Sequence, residues 1–161
     1  MHLRRAVVLG ALVLPGLLSL TAGGVLAIVT TGNWAVTISA SDLIGGAGTD
    51  LQGSYESPAD QVSVSISGSL GPSDTWRVDV RRSDTTWHDD VHLWLQRTGD
   101  GTGGSVAGGT SYLEVTATDA AFFTGSDDVS GIPVQLELTG MSIAVPPASY
   151  STTVVFTIVD T

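Results

Sequence analysis

The chain of 161 residues reads as all-β: a single immunoglobulin-like or Greek-key β-sandwich of about eight strands behind an N-terminal signal peptide. Three observations predict this. Short runs of alternating apolar and polar residues recur across residues 28–161, the pattern of strands with one wet face. Turn signals rich in Gly, Asp, Ser and Pro separate these runs. Beyond residue 27, no segment keeps a helical period over ten residues. A jelly roll or a closed barrel would satisfy the same pattern.

The first element is the leader. MHLRRAVVLGALVLPGLLSLTAGGVLA sets two arginines before an apolar run and ends on small residues, the layout of a secretory signal peptide. Val25-Leu26-Ala27 places cleavage after Ala27, with Ala22-Gly23-Gly24 as the second site. The chain therefore divides into a signal peptide, residues 1–27, and a sandwich domain, residues 28–161. The uncharged stretch runs on through Val29, and about 20 apolar residues span a bilayer, so an uncleaved leader would anchor the protein in a membrane. The chain has no cysteine, which excludes a lipid anchor on cysteine, a disulfide framework and thiolate metal sites.

The strands follow in order. Trp34, Val36, Ile38 and Ala40 form the first apolar face; Val62, Val64 and Ile66 form the next; Trp76, Val78 and Val80 form the third. A turn is expected at residues 82–86, followed by WHDDVHLWL, in which Val91, Leu93 and Leu95 share a face. Residues 98–105 make a glycine-rich connection, and Asp100-Gly101 is a hairpin signal. Leu113, Val115 and Ala117 read as another strand, and Phe122-Phe123 as an aromatic plug before a polar loop at 124–128. Ile132, Val134, Leu136 and Leu138 alternate with polar residues and with Pro133, whose missing amide suits an edge strand or a strand's first residues. Met141, Ile143 and Val145 make a short strand ended by two prolines. Residues 152–159 are apolar or threonine on both faces, as in a strand covered on both sides.

Charge narrows the partners. Without the leader, four arginines stand against sixteen carboxylates, a balance of −12, and lysine is absent. Nucleic acid and anionic lipid surfaces are repelled by such a field. Other proteins, a second copy of this chain, glycans and cations remain as partners.

WHDDVHLWL is the most chemically loaded stretch. As a strand it projects His88, Asp90 and His92 from one face, though Trp87–Asp90 also fit the preceding turn. Same-face neighbours lie about 6.5–7 Å apart, so His88 and His92 stand too far apart to share one ion without a bend or bulge. Trp94 falls out of phase with Val91, Leu93 and Leu95 and should face outward with His92 and Gln96, which makes these three the candidate binding surface. Asp89, Asp90, Asp127 and Asp128 are weak calcium candidates, since calcium takes oxygen ligands, but no segment has a calcium-loop spacing. No other cofactor is indicated. No nucleophile elbow, phosphate loop or divergent carboxylate pair occurs, so the chain reads as a non-enzyme.

The closing segment VPPASYSTTVVFTIV carries Pro147, Tyr150, Thr152, Val154 and Phe156 in a pattern that resembles the last strand of small secreted β-sandwich subunits such as spore coat protein U and related pilin-like proteins. It departs from them in Ala148-Ser149, in the absence of cysteine and in its Asp160-Thr161 ending. The resemblance implies a secreted, cell-surface or extracellular structural protein: a coat, filament or adhesion subunit acting by association. In such assemblies an extended strand enters a neighbour's sheet, and Trp34, Val36, Ile38 and Ala40 have the alternation of such a donor strand, or of the first strand of their own domain. The alternative function is carbohydrate-binding or calcium-dependent recognition.

Overall fold

The alternating runs become strands of one eleven-stranded sheet rolled nearly into a barrel, in a computed structural model that describes residues 5–11, 25–69, 71 and 73–161. The all-β class stands. Residues 1–4 and 12–24, most of the predicted leader, lie outside the described residues.

The main ladder runs β2 (Ala27–Thr31), β5 (Val62–Ser67), β10 (Ala120–Thr139), β6 (Thr75–Thr86), β11 (Ser149–Asp160), β1 (Arg5–Ala11) and β3 (Asn33–Ile38). Beside β10 lie β4 (Ser54–Glu56), β7 (His92–Arg97) and β8 (Thr102–Gly108), and β9 (Leu113–Glu114) pairs with β7. Among the described strands every pairing is antiparallel except that of β1 with β11. β2 and β3 are one stretch of chain broken at Gly32, which changes partner from β5 to β1. Gly32 has φ +119°, and a Cβ there would stand 2.2 Å from the Gln61 carbonyl oxygen, so only glycine makes this corner.

The predicted inward faces form one core. Trp76, Val78, Val80, Leu93, Leu95, Ile132, Val134, Leu136 and Leu138 are all but inaccessible. Trp76 packs edge-on against Phe123 at 6.2 Å, and its indole N–H donates to the Asp127 carbonyl at 2.9 Å. A Cβ on Gly125 would lie 2.4 Å from the Trp76 ring, so this glycine is the space that the indole occupies.

Several expected turns are strand instead. β6 continues through residues 82–86 because β11 pairs with it as far as Thr86. The aromatic plug and polar loop at 122–128 are part of the 20-residue strand β10, which absorbs its polar residues in register shifts rather than leaving the sheet. Asp127 takes φ 64° there, a conformation that aspartate tolerates better than most residues. Pro133 sits in this central strand, not at an edge. Its carbonyl accepts from Thr98 N at 3.0 Å, and a residue's N and C=O point to the same side of a strand. The missing amide therefore falls where the β7–β8 turn leaves the sheet. Conversely, Met141–Val145 is a turn and not a strand, Leu113–Ala117 shortens to β9, and Ala40 lies in a 3-10 turn capped by Ser39.

Arg97 is the out-of-pattern residue. It shares the phase of Leu93 and Leu95, is 5 % exposed, and donates to the carbonyls of Gly108 and Gly99 at 2.9 Å each and to the Asp100 carboxylate. A buried guanidinium is tolerated because these acceptors replace its water.

Candidate functional site

The outward side of β4, β10, β7 and β9 gathers polar and aromatic side chains in rows. In strand β7 burial alternates, with Leu93, Leu95 and Arg97 inward and His92, Trp94 and Gln96 half-buried on the other face. Cross-strand partners fall in line with them. One row reads Glu56, Glu137, Trp94, Glu114 across four adjacent strands. The row on one side holds Ser54, Thr139 and His92, and the row on the other holds Gln135 and Gln96. All three glutamates of the chain are in the central row.

Neighbours hold these side chains in place. The Trp94 indole N–H donates to Thr139 Oγ1 at 2.9 Å. His92 Nδ1 lies 2.6 Å from Glu114 Oε1. Gln96 Nε2 donates to Gln135 Oε1, and Gln135 Nε2 to the Ser57 carbonyl, each at 2.8 Å. Tyr112, just before β9, donates its hydroxyl to Glu56 Oε1 on β4 at 3.0 Å. Strands lie about 4.8 Å apart, so that bond crosses about three strand spacings and lays the phenol along the sheet surface. Burial, then the hydrogen bond and charge of Glu56, then the charge of Glu137, push the Tyr112 phenol up to about 12.

The remainder of WHDDVHLWL does not join this face. The strand begins at His92, and residues 88–91 form a turn closed by Val91 N donating to the His88 carbonyl at 3.0 Å. His88, Asp90 and His92 thus do not share a strand face. His88 packs edge-on against Tyr150 at 5.9 Å, and Trp87 lies under the Arg82 guanidinium at 5.2 Å. The aspartates named for calcium are dispersed. Asp89 and Asp90 are exposed in that turn; Asp127 accepts from Asp128 N and Asp128 from Ser69 N, each at 2.8 Å. Among the described residues, no group of three His, Cys, Asp or Glu side chains is placed to hold a metal ion.

A second feature lies on the opposite flank. β1 is wedged between β3 and β11, parallel to β11 and antiparallel to β3. Its positions 7, 9 and 11 stand opposite Tyr150, Thr152 and Val154, and positions 5, 7 and 9 opposite Ile38, Val36 and Trp34. Tyr150, Thr152, Val154, Trp34 and Ile38 are buried, so the two strands that β1 joins both carry core residues. Tyr150 is anchored by its hydroxyl donating to the Pro146 carbonyl at 2.7 Å. Trp34, Val36 and Ile38 therefore form one wall of this position, as a strand of their own domain.

Sequence reasoning puts His92, Trp94 and Gln96 on one outward face, as the structure does, but does not bring Glu56, Glu114, Glu137, Tyr112 and Gln135 to it. The concentration of glutamate in three scattered positions was the available signal, yet nothing in the order of residues aligns them. Among the described residues, no helix is long and apolar enough to cross a membrane. No protein-family model, curated protein or solved structure matches the chain.

Proposed function

We propose that the protein is a secreted structural subunit of a cell surface or extracellular layer, a coat, filament or adhesion component, working by association with other protein subunits, including copies of itself. One observation carries this reading: the ladder between β3 and β11 is completed by β1, residues 5–11, which belong to the segment read as an export leader. Leader removal exposes two strand edges facing each other across one strand width, above apolar core residues. Unpaired edges over a core are templates for an incoming strand, and main-chain hydrogen bonds with pockets for alternate side chains are how strand addition achieves affinity. The occupant would be an extended segment with apolar residues at alternate positions.

The test uses residues 25–161 produced without the leader. The expected result is concentration-dependent association in light scattering, with filaments or oligomers in negative stain. A synthetic peptide of residues 4–12 should raise the melting temperature, since a ligand that binds only the native state stabilises it. A strictly monomeric protein whose melting temperature ignores the peptide would defeat the reading.

A further inference from the structure

We propose that the outward face of β4, β10, β7 and β9 is a binding site for neutral oligosaccharides, with Trp94 and Tyr112 as stacking surfaces and Glu137 as the acceptor for sugar hydroxyls. This site is separate from the β3–β11 edge and does not depend on what fills that edge.

The aromatic groups have their polar atoms turned inward. The Trp94 N–H is taken by Thr139 and the Tyr112 hydroxyl by Glu56, so the ring surfaces are what the two side chains have left to offer. Both are half-buried and hydrogen-bonded to neighbouring strands, which fixes their orientation before any ligand arrives, and a preorganised surface loses little freedom on binding. A sugar ring presents an apolar C–H face to such a surface and hydroxyl groups at its rim.

The carboxylates complete the fit. Glu137 lies laterally between Glu56 and Trp94, and like charges directly opposite on neighbouring strands are unfavourable. Glu56 receives Tyr112 and Glu114 receives His92, whereas half-buried Glu137 has no hydrogen-bond donor among the described residues. The chain cannot supply a strong cation. All four arginines beyond the leader are paired elsewhere, with Asp79, Asp119, Asp84 and Asp100, and lysine is absent. The face thus has acceptor capacity and an apolar surface, the complement of a polyol. Anionic glycans are excluded by three carboxylates in one row. Beside the face at Gln96, an open groove of about 520 Å³ reaches Asp100 and Thr110, giving room for further sugar units.

The experiment uses the full secreted chain. Neutral glycans on an array, and cellohexaose, chitohexaose and maltohexaose in titration calorimetry, are the probes, with spermidine and heparin as cationic and anionic comparators. At least one neutral glycan should bind, and Trp94→Ala should weaken it by about tenfold or more, the size expected when a packed aromatic contact is lost. Glu137→Gln keeps the shape of the side chain and relieves the repulsion with Glu56, so it should weaken the same glycan without lowering the melting temperature. The proposal is overturned if no neutral glycan binds, if only spermidine binds, or if both variants bind the glycan as well as the parent chain does.

Discussion

The two flanks of the barrel close in different ways. On the β4–β10–β7–β9 flank, each strand is joined to the next by its own backbone ladder and by side-chain bonds across strands, such as Trp94 to Thr139 and Gln96 to Gln135. On the β6–β11–β3 flank, β1 alone among the described strands joins β3 to β11. The first flank is closed by strands from residues 54–139, whereas the second depends on residues 5–11. Completeness suits a rigid recognition surface, and dependence suits assembly.

The sharpest way to break this comparison is to damage each flank in chains with and without residues 1–24. Leu95→Ala should cost about 2–5 kcal/mol in both, the range for a buried Leu truncation, as read by urea denaturation. Trp34→Ala should cost about 3–5 kcal/mol in the full chain and much less in the shortened one, where β3 has lost its ladder partner. Equal costs in the two chains would erase the distinction between the flanks. Hydrogen exchange reads the same contrast without mutation: in the shortened chain, β3 amides should exchange by local opening while β7 and β10 amides wait for global unfolding.

A smaller effect sharpens the view of the complete flank. Buried Ser57 accepts from Leu136 N at 2.9 Å and so fastens the end of β4 to β10. Ser57→Ala leaves that amide unsatisfied, and a loss of about 1–3 kcal/mol is expected. The pH dependence of Tyr112 is smaller still. Its phenol is raised from 10.0 in the unfolded chain to about 12 in the fold, so the folded state holds the proton more tightly. The resulting stability is fully present below pH 10 and is lost as pH rises from about 10 towards 12. In an ultraviolet titration Tyr112 should ionise well above pH 10, and Tyr112→Phe should remove its share of the alkaline loss.

The least effect concerns the boundary itself. Gly68 packs against the Val25 carbonyl, where a Cβ would come within 2.1 Å, and Leu26 leans on the core. A leader cut after Gly24 keeps both contacts, whereas a cut after Ala27 removes them; N-terminal sequencing of protein recovered outside the cell, beginning Val-Leu-Ala or Ile-Val-Thr, tells the two predicted sites apart.

What the order of residues displayed was local. Alternation at Val62–Ile66, Trp76–Val80 and Leu93–Leu95 named inward faces correctly because neighbours along a strand point to opposite sides whatever the strand pairs with. It also put Trp94 outside. It misread residues 82–86 and 124–128, where polar residues and glycine mimic a turn but long-range partners hold the chain extended, and it misplaced Pro133 for the same reason. WHDDVHLWL looked like one unit, yet its histidines divide between a turn on Tyr150 and a strand beside Glu114.

The amino-acid sequence by itself determined the all-β class, the inward residues and the acidic, lysine-free surface, since period and composition act over a few residues. Only the tertiary structure decided that Glu56, Glu137, Trp94 and Glu114 stand in one row and that residues 5–11 close the sheet. Both depend on strand register, which is set by contacts between residues far apart in the chain.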